Sequence, residues 1–158
     1  MLSKSFGISV TLASRMFITW VLFLQKELEF LLSLTTVTEM EGVKRPHVYR
    51  EVKFKSLRAI IDCTEFYVQK PSLPSSQHRT YSHYKSYNTF KLMVSLSPIW
   101  HFNFISKLYS GCTSDKEVVQ RSGFLDSIEP GDSIMADKGF NIQDLEVRNA
   151  YLIAPHHG

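Results

Sequence analysis

Asp62 interrupts an apolar stretch, Ile60-Ile61-Asp62-Cys63-Thr64, and Asp137 closes another, Ser133-Ile134-Met135-Ala136-Asp137. On an extended chain Ile60 and Thr64 share the face of Asp62, while Ile61 and Cys63 point the other way. A carboxylate inside such a strand is costly unless it is paired, hydrogen-bonded or bound to a cation. Ends of adjacent strands are where α/β sheets place ligands. If the two strands are neighbours, Asp62 and Asp137 can share a hard divalent cation such as Mg²⁺. Two such ions about 4 Å apart activate water and stabilise the leaving 3′ oxygen in phosphodiester cleavage. The alternative is an Asp62 buried beside Lys or Arg and an Asp137 that caps a turn. Spacing alone leaves both open.

The other acids carry less. Asp115 stands where a helix begins and favours its positive end, with direct catalysis the lesser role. Glu65 is off the face of Asp62 and is not expected to be a ligand. Asp132, in a Pro130-Gly131 turn, is expected to be solvated. Cys63 and Cys112 lack zinc-ligand spacing and read as two free thiols in a reducing compartment.

The elements that position these residues follow from periodicity. Residues 1–34 read as helical: Ala13, Met16, Phe17, Trp20, Leu24, Leu28 and Leu31 recur at three- and four-residue steps. The apolar run 17–24 is about half a membrane span, is followed by Gln25-Lys26-Glu27, and reads as a buried helix. Residues 35–57 are polar and mixed in charge, a linker with little regular structure. Residues 58–158 hold strands near 58–68, 89–96, 102–109, 133–136 and 151–154, with a loop over 70–87 and helices over 114–128 and about 141–148. Short links make the first three strands an antiparallel meander, and strands that follow helices return in parallel. The predicted fold is an α/β, RNase H-like mixed sheet with flanking helices, preceded by a helical segment.

Several blocks then resemble the DDE superfamily endonuclease domain of harbinger-like transposases. They are Ile60-Ile61-Asp62-Cys63-Thr64-Glu65 with Gln69-Lys70-Pro71-Ser72, Tyr81-Ser82-His83-Tyr84-Lys85-Ser86, Lys107-Leu108-Tyr109-Ser110-Gly111, Ser114-Asp115-Lys116-Glu117 and Ser122-Gly123-Phe124-Leu125. The densest runs from Glu129 to Leu145 through Ala136-Asp137-Lys138-Gly139-Phe140. The resemblance spans about residues 57–155. It implies Asp62 and Asp137 as first and second catalytic acids and as ligands of Mg or Mn, in a nuclease that cleaves and transfers DNA strands in the nucleus. It places a third acid, usually Glu, on a helix beyond the last strand seen here. After Asp137 come only Asp144 and Glu146, and neither fits that position. The expectation is therefore a C-terminally truncated domain, inactive as residues 1–158. The rival reading is a non-catalytic, transposase-derived DNA-binding protein. His156 and His157 read as solvated.

The DNA-facing parts are of two kinds. Leu2 to Arg15 resembles the second half of a helix-turn-helix, with Ser9, Thr11, Ser14 and Arg15 as candidate groove contacts. The segment His78 to Tyr87 mixes basic and aromatic residues and suits phosphate binding and stacking, with Arg79 and Lys85 as candidate contacts; a solvated loop is the equal alternative. Lys91 and Lys107 either add charge to that surface or, being on strands, simply face water. A net charge of +3 permits a nucleic-acid partner without requiring one. The partners expected are DNA, with room for a separate DNA-binding protein or a homo-oligomer, and no membrane.

Overall fold

The computed structural model describes residues 2–32, 43–137, 140 and 151–153. The chain divides into two compact units, Met1–Leu32 and Ser33–Gly158. The expected helix over 141–148, Asp144, Glu146, His156 and His157 lie outside the described residues, as does most of the expected linker before Val43.

In the first unit a one-turn helix α1 (Leu2–Ser5) leads through Gly7, at φ +62°, into α2 (Val10–Leu28). Ser9 caps α2: its side chain accepts a hydrogen bond from the Leu12 N–H at 3.2 Å, satisfying one amide of the first turn. No residue of α2 is buried. The reading of 17–24 as a buried helix is corrected accordingly. Among the described residues of this unit the other helices are α1, of four residues, and a 3-10 turn over Glu29–Leu31, and neither offers a face to cover a nineteen-residue stripe.

The second unit is built on one mixed sheet. Its strands are β1 (Leu57–Tyr67), β2 (Tyr81–Ser82), β3 (Tyr87–Leu96), β4 (Phe102–Ile105), β5 (Tyr109–Ser110), β6 (Ser133–Ala136) and β7 (Tyr151–Ile153). The order is β2-β3-β1-β6-β7, and β4 and β5 pair with the same edge of β3 as β2. β1 runs antiparallel to β3, with Asp62 opposite Val94 and Glu65 opposite Lys91. It runs parallel to β6, with Ile60 opposite Met135 and Ile61 opposite Ala136. β6 and β7 are also parallel. An antiparallel meander joined to parallel strands is the α/β nuclease-like arrangement expected from the element order.

Three local expectations change. The strand expected over 102–109 is broken at 106–108. Ser106 causes the break: its Oγ accepts the Met93 N–H at 2.9 Å and donates to the Lys107 carbonyl at 2.7 Å. A hydroxyl thus replaces a ladder carbonyl. The loop expected over 70–87 contains α3 (Pro74–Thr80), with Pro74 in the first turn, where no amide is needed. The helix expected over 114–128 stops early as α4 (Asp115–Arg121), because Gly123 turns left-handed at φ +81° and starts a 3-10 turn over Phe124–Ser127.

Strand alternation divides the core. Ala59, Ile61, Met93, Ile134 and Ala136 pack with Val118 and Val119 of α4, with Phe124 and with Ile128. Met135 and Ile60, facing the other way, pack with Phe54, Leu57 and Tyr49. A fully buried side chain such as Phe124 contributes roughly 2–3 kcal/mol.

Candidate functional site

β1 outruns its parallel neighbour. β6 ends at Ala136, opposite Ile61, and β1 continues to Tyr67 against β3 alone. The burial of β1 changes at that point: Ile61 is buried and Asp62 is exposed. Continuing the register by one residue sets Asp137 beside Asp62, both on the face of Ile60 and Met135. The two carboxylates line one cleft of about 620 Å³. Asp62 is oriented by its neighbour, since Oδ1 accepts the Cys63 N–H at 2.8 Å. The carboxylate costs little there because the ladder on one side has ended and water reaches it.

Two further acids line the cleft, Glu65 and Asp115, and the ammonium of Lys91 lies between them. Lys91 Nζ is 2.7 Å from Asp115 Oδ1 and 3.7 Å from Glu65 Oε1. Thr89 donates to Glu65 Oε2 at 2.7 Å. The reading in which Lys91 faces water is corrected: it is 8% exposed. It shares the face of Met93, which points at α4, and its charge is met by an acid from that helix. Asp115 does stand in the first turn of α4, whose cap Ser114 accepts the Glu117 N–H. Burial and the nearby Asp115 carboxylate push the Cys63 thiol up to about 12. Both cysteines are free thiols.

Asp132 is corrected as well. It is 6% exposed, receives the Arg58 guanidinium at 2.6 Å and accepts the Glu129 N–H at 2.9 Å. The turn through Gly131, at φ +93°, folds its side chain back toward the start of β1.

The DNA-contact candidates fall in different places. Lys85, with Tyr84, lines the acid cleft. Arg79 is exposed on α3 but lines neither that cleft nor the neighbouring groove. Lys107 is exposed in the strand break. Thr11, Ser14 and Arg15 are exposed and share one face of α2, and Ser9 is its cap.

Among the described residues, no group of three or more His, Cys, Asp and Glu is placed to hold a metal ion. Asp62 and Asp137 nevertheless fit one kind of cation. Mg²⁺ takes hard oxygen donors, often only one or two carboxylates, and keeps several waters. An open cleft lined by both carboxylates meets that demand. Sequence reasoning missed the Lys91 cluster, although the pairing of Glu65 with Lys91 follows once the β1–β3 register is known.

A family model described as DDE superfamily endonuclease matches residues 61–157. No curated protein and no solved structure matches the chain.

Proposed function

Since the chain belongs to the DDE superfamily endonucleases, matched over well more than half its length, we propose that its cleft is the metal-dependent site of a transposase-derived nuclease, with Asp62 and Asp137 as ligands of Mg or Mn. Membership implies DNA as substrate. One observation carries the assignment of residues: two carboxylates, one on β1 and one just past the end of its parallel neighbour β6, line one cleft. A bound divalent cation would supply positive charge to a phosphate oxygen and lower the pKa of water. The chain's own residues do the rest. Asp62, steadied by the Cys63 N–H, and Asp137 hold the cation's position. Lys85 at the rim offers a cation to the backbone phosphate. The N-terminal α1–turn–α2 segment is the duplex-reading part of this proposal, through Ser9, Thr11, Ser14 and Arg15, and Arg79 adds a phosphate contact outside the cleft. The block order places the chain with harbinger-like transposases, acting in the nucleus, with a DNA-binding partner protein or a second copy.

Residues 1–158 alone are not expected to cleave. Of the four acids lining the cleft among the described residues, Glu65 and Asp115 are engaged by Thr89 and Lys91, and the proposal assigns the cation to the other two. The same observation supports the second reading, a DNA-binding protein without catalysis. The test is Mn²⁺ retention by electron paramagnetic resonance, followed by plasmid nicking. One weak Mn²⁺ site is expected, lost in both Asp62→Asn and Asp137→Asn. Equal Mn²⁺ binding by either variant would remove that residue from the site. Metal-dependent nicking that Asp62→Asn abolishes would show that another acid completes it.

A further inference from the structure

A second cavity adjoins the acid cleft. It holds about 610 Å³ and is lined by Lys70, Gln77, His78, Tyr81, His83 and Tyr87, among others. No carboxylate is among its lining residues, whereas the neighbouring cleft holds four. The turn over residues 83–86 separates the two. His83 and Ser86 face the groove; Tyr84 and Lys85 face the cleft. A chain that leaves a phosphate in the cleft therefore crosses one short turn to enter the groove.

The groove is fixed before anything binds. Asn88, buried on β3, donates to the Gln77 carbonyl and to Thr80 Oγ1, both at 2.8 Å, which pins α3 to the sheet. Tyr81 pairs with Asn88 through β2. The Lys85 N–H bonds Ser82 Oγ at 3.2 Å, and Ser86 takes φ +52°, so the dividing turn is held too. Two of its aromatic residues meet another ring edge to face, Tyr81 with His83 and Tyr87 with Tyr67 of β1, and Tyr81 and Tyr87 stay 38% and 49% exposed. On the rim Tyr84 is 84% exposed, with Lys85 Nζ 4.6 Å from its ring centre.

Exposed rings in an acid-free groove that carries Lys70 fit single-stranded nucleic acid, whose phosphates meet the lysine while unpaired bases stack. A duplex hides those base faces. We propose that this groove seats unpaired DNA nucleotides next to the phosphate held in the acid cleft, with Tyr81 and Tyr87 as stacking platforms and Lys70 as a phosphate contact. The inference rests on the endonuclease reading for its ligand, DNA, and for the phosphate in the neighbouring cleft.

The test is fluorescence anisotropy of the full chain with a labelled oligothymidylate of roughly a dozen nucleotides, in EDTA, so that no cleavage chemistry enters. The single strand should bind more tightly than a duplex of the same length. Tyr81→Ala should weaken binding about tenfold, as loss of one base stack does, while Tyr81→Phe retains it. Lys70→Ala, on the exposed rim and remote from the core, should reduce the salt slope by about 0.7, the value for one phosphate contact on a single strand. Arg121→Ala on α4 removes an equal charge elsewhere and should leave the affinity unchanged. Parental binding by both Tyr81→Ala and Lys70→Ala, or an equal loss in Arg121→Ala, overturns the groove. Oligonucleotide binding without Mn²⁺ binding would leave the groove standing and remove the endonuclease site; the converse would do the opposite.

Discussion

Lys91 holds the Asp115 carboxylate at 2.7 Å, and this pair forms one wall of the cleft that contains Asp62 and Asp137. The ammonium also stands 3.7 Å from Glu65, whose side chain is almost wholly buried. One cation therefore balances two acids from different elements, β1 and α4.

Removing that cation should be expensive. Lys91→Met leaves the Glu65 charge buried with Thr89 as its one remaining partner among the described residues, a loss of about 3 kcal/mol or more. Asp115→Asn, at a site about one-third exposed, should cost only about 1 kcal/mol. Urea denaturation of both variants measures the difference. Equal and small costs would show that the cluster is already solvated.

Asp132 makes a similar case at the other end of the sheet. Asp132→Ala removes the 2.6 Å partner of Arg58, 4% exposed, leaves its longer contact with Glu129 at 3.6 Å, and frees the Glu129 amide; about 3 kcal/mol of destabilisation is expected. Asp132→Asn keeps the size and an acceptor oxygen and should lose less. Thermal unfolding distinguishes the two.

Cys63 gives a pH dependence. Its thiol is raised from 9.0 to about 12 by burial first and by Asp115 second. Between those values the folded chain keeps its proton and the unfolded chain loses it. Stability should therefore fall as pH rises from about 9 toward 12 and be fully present below 9. Cys63→Ala should flatten that alkaline slope. In the native protein at neutral pH, iodoacetamide should label the exposed Cys112 and spare Cys63 until the chain unfolds. Equal labelling rates would contradict the burial of Cys63.

The apolar side chains of α2 should drive association. Trp20 is 58% exposed, and Phe17 and Phe23 are also exposed. Sedimentation should show species above the monomer, and Phe17→Glu with Trp20→Glu should shift them toward monomer. A monomeric parent chain at tens of micromolar would refute this.

Some of this was legible in the sequence and some was not. Asp62 and Asp137 stood out because each breaks an apolar strand pattern, and the mixed sheet followed from the order of elements. Asp132 was misjudged because its partner, Arg58, is 74 residues away and a Pro-Gly turn usually points outward. Lys91 was misjudged because the acid that buries it comes from α4, and strand alternation says which face a residue occupies but not what covers it. The break at Ser106 was hidden because a serine hydroxyl can replace a ladder carbonyl without disturbing the alternation. α3 was hidden because its residues, Pro-Ser-Ser-Gln-His-Arg-Thr, have the composition of a loop.

The parallel ladder between β1 and β6 has a consequence for how the protein is made. β1 and β3 lie within residues 57–96 and can pair as soon as that stretch is synthesised. The partner that brings Asp137 to Asp62 comes only after Ser133. Contacts between residues so far apart in the chain form slowly, because a long loop must close before anything rewards it. On the ribosome the half of the cleft on β1 therefore waits, carboxylate outward on an open strand edge, while α4 and its connections are still emerging. Assembly of the acid pair comes late, once the strand ending at Ala136 has joined the sheet.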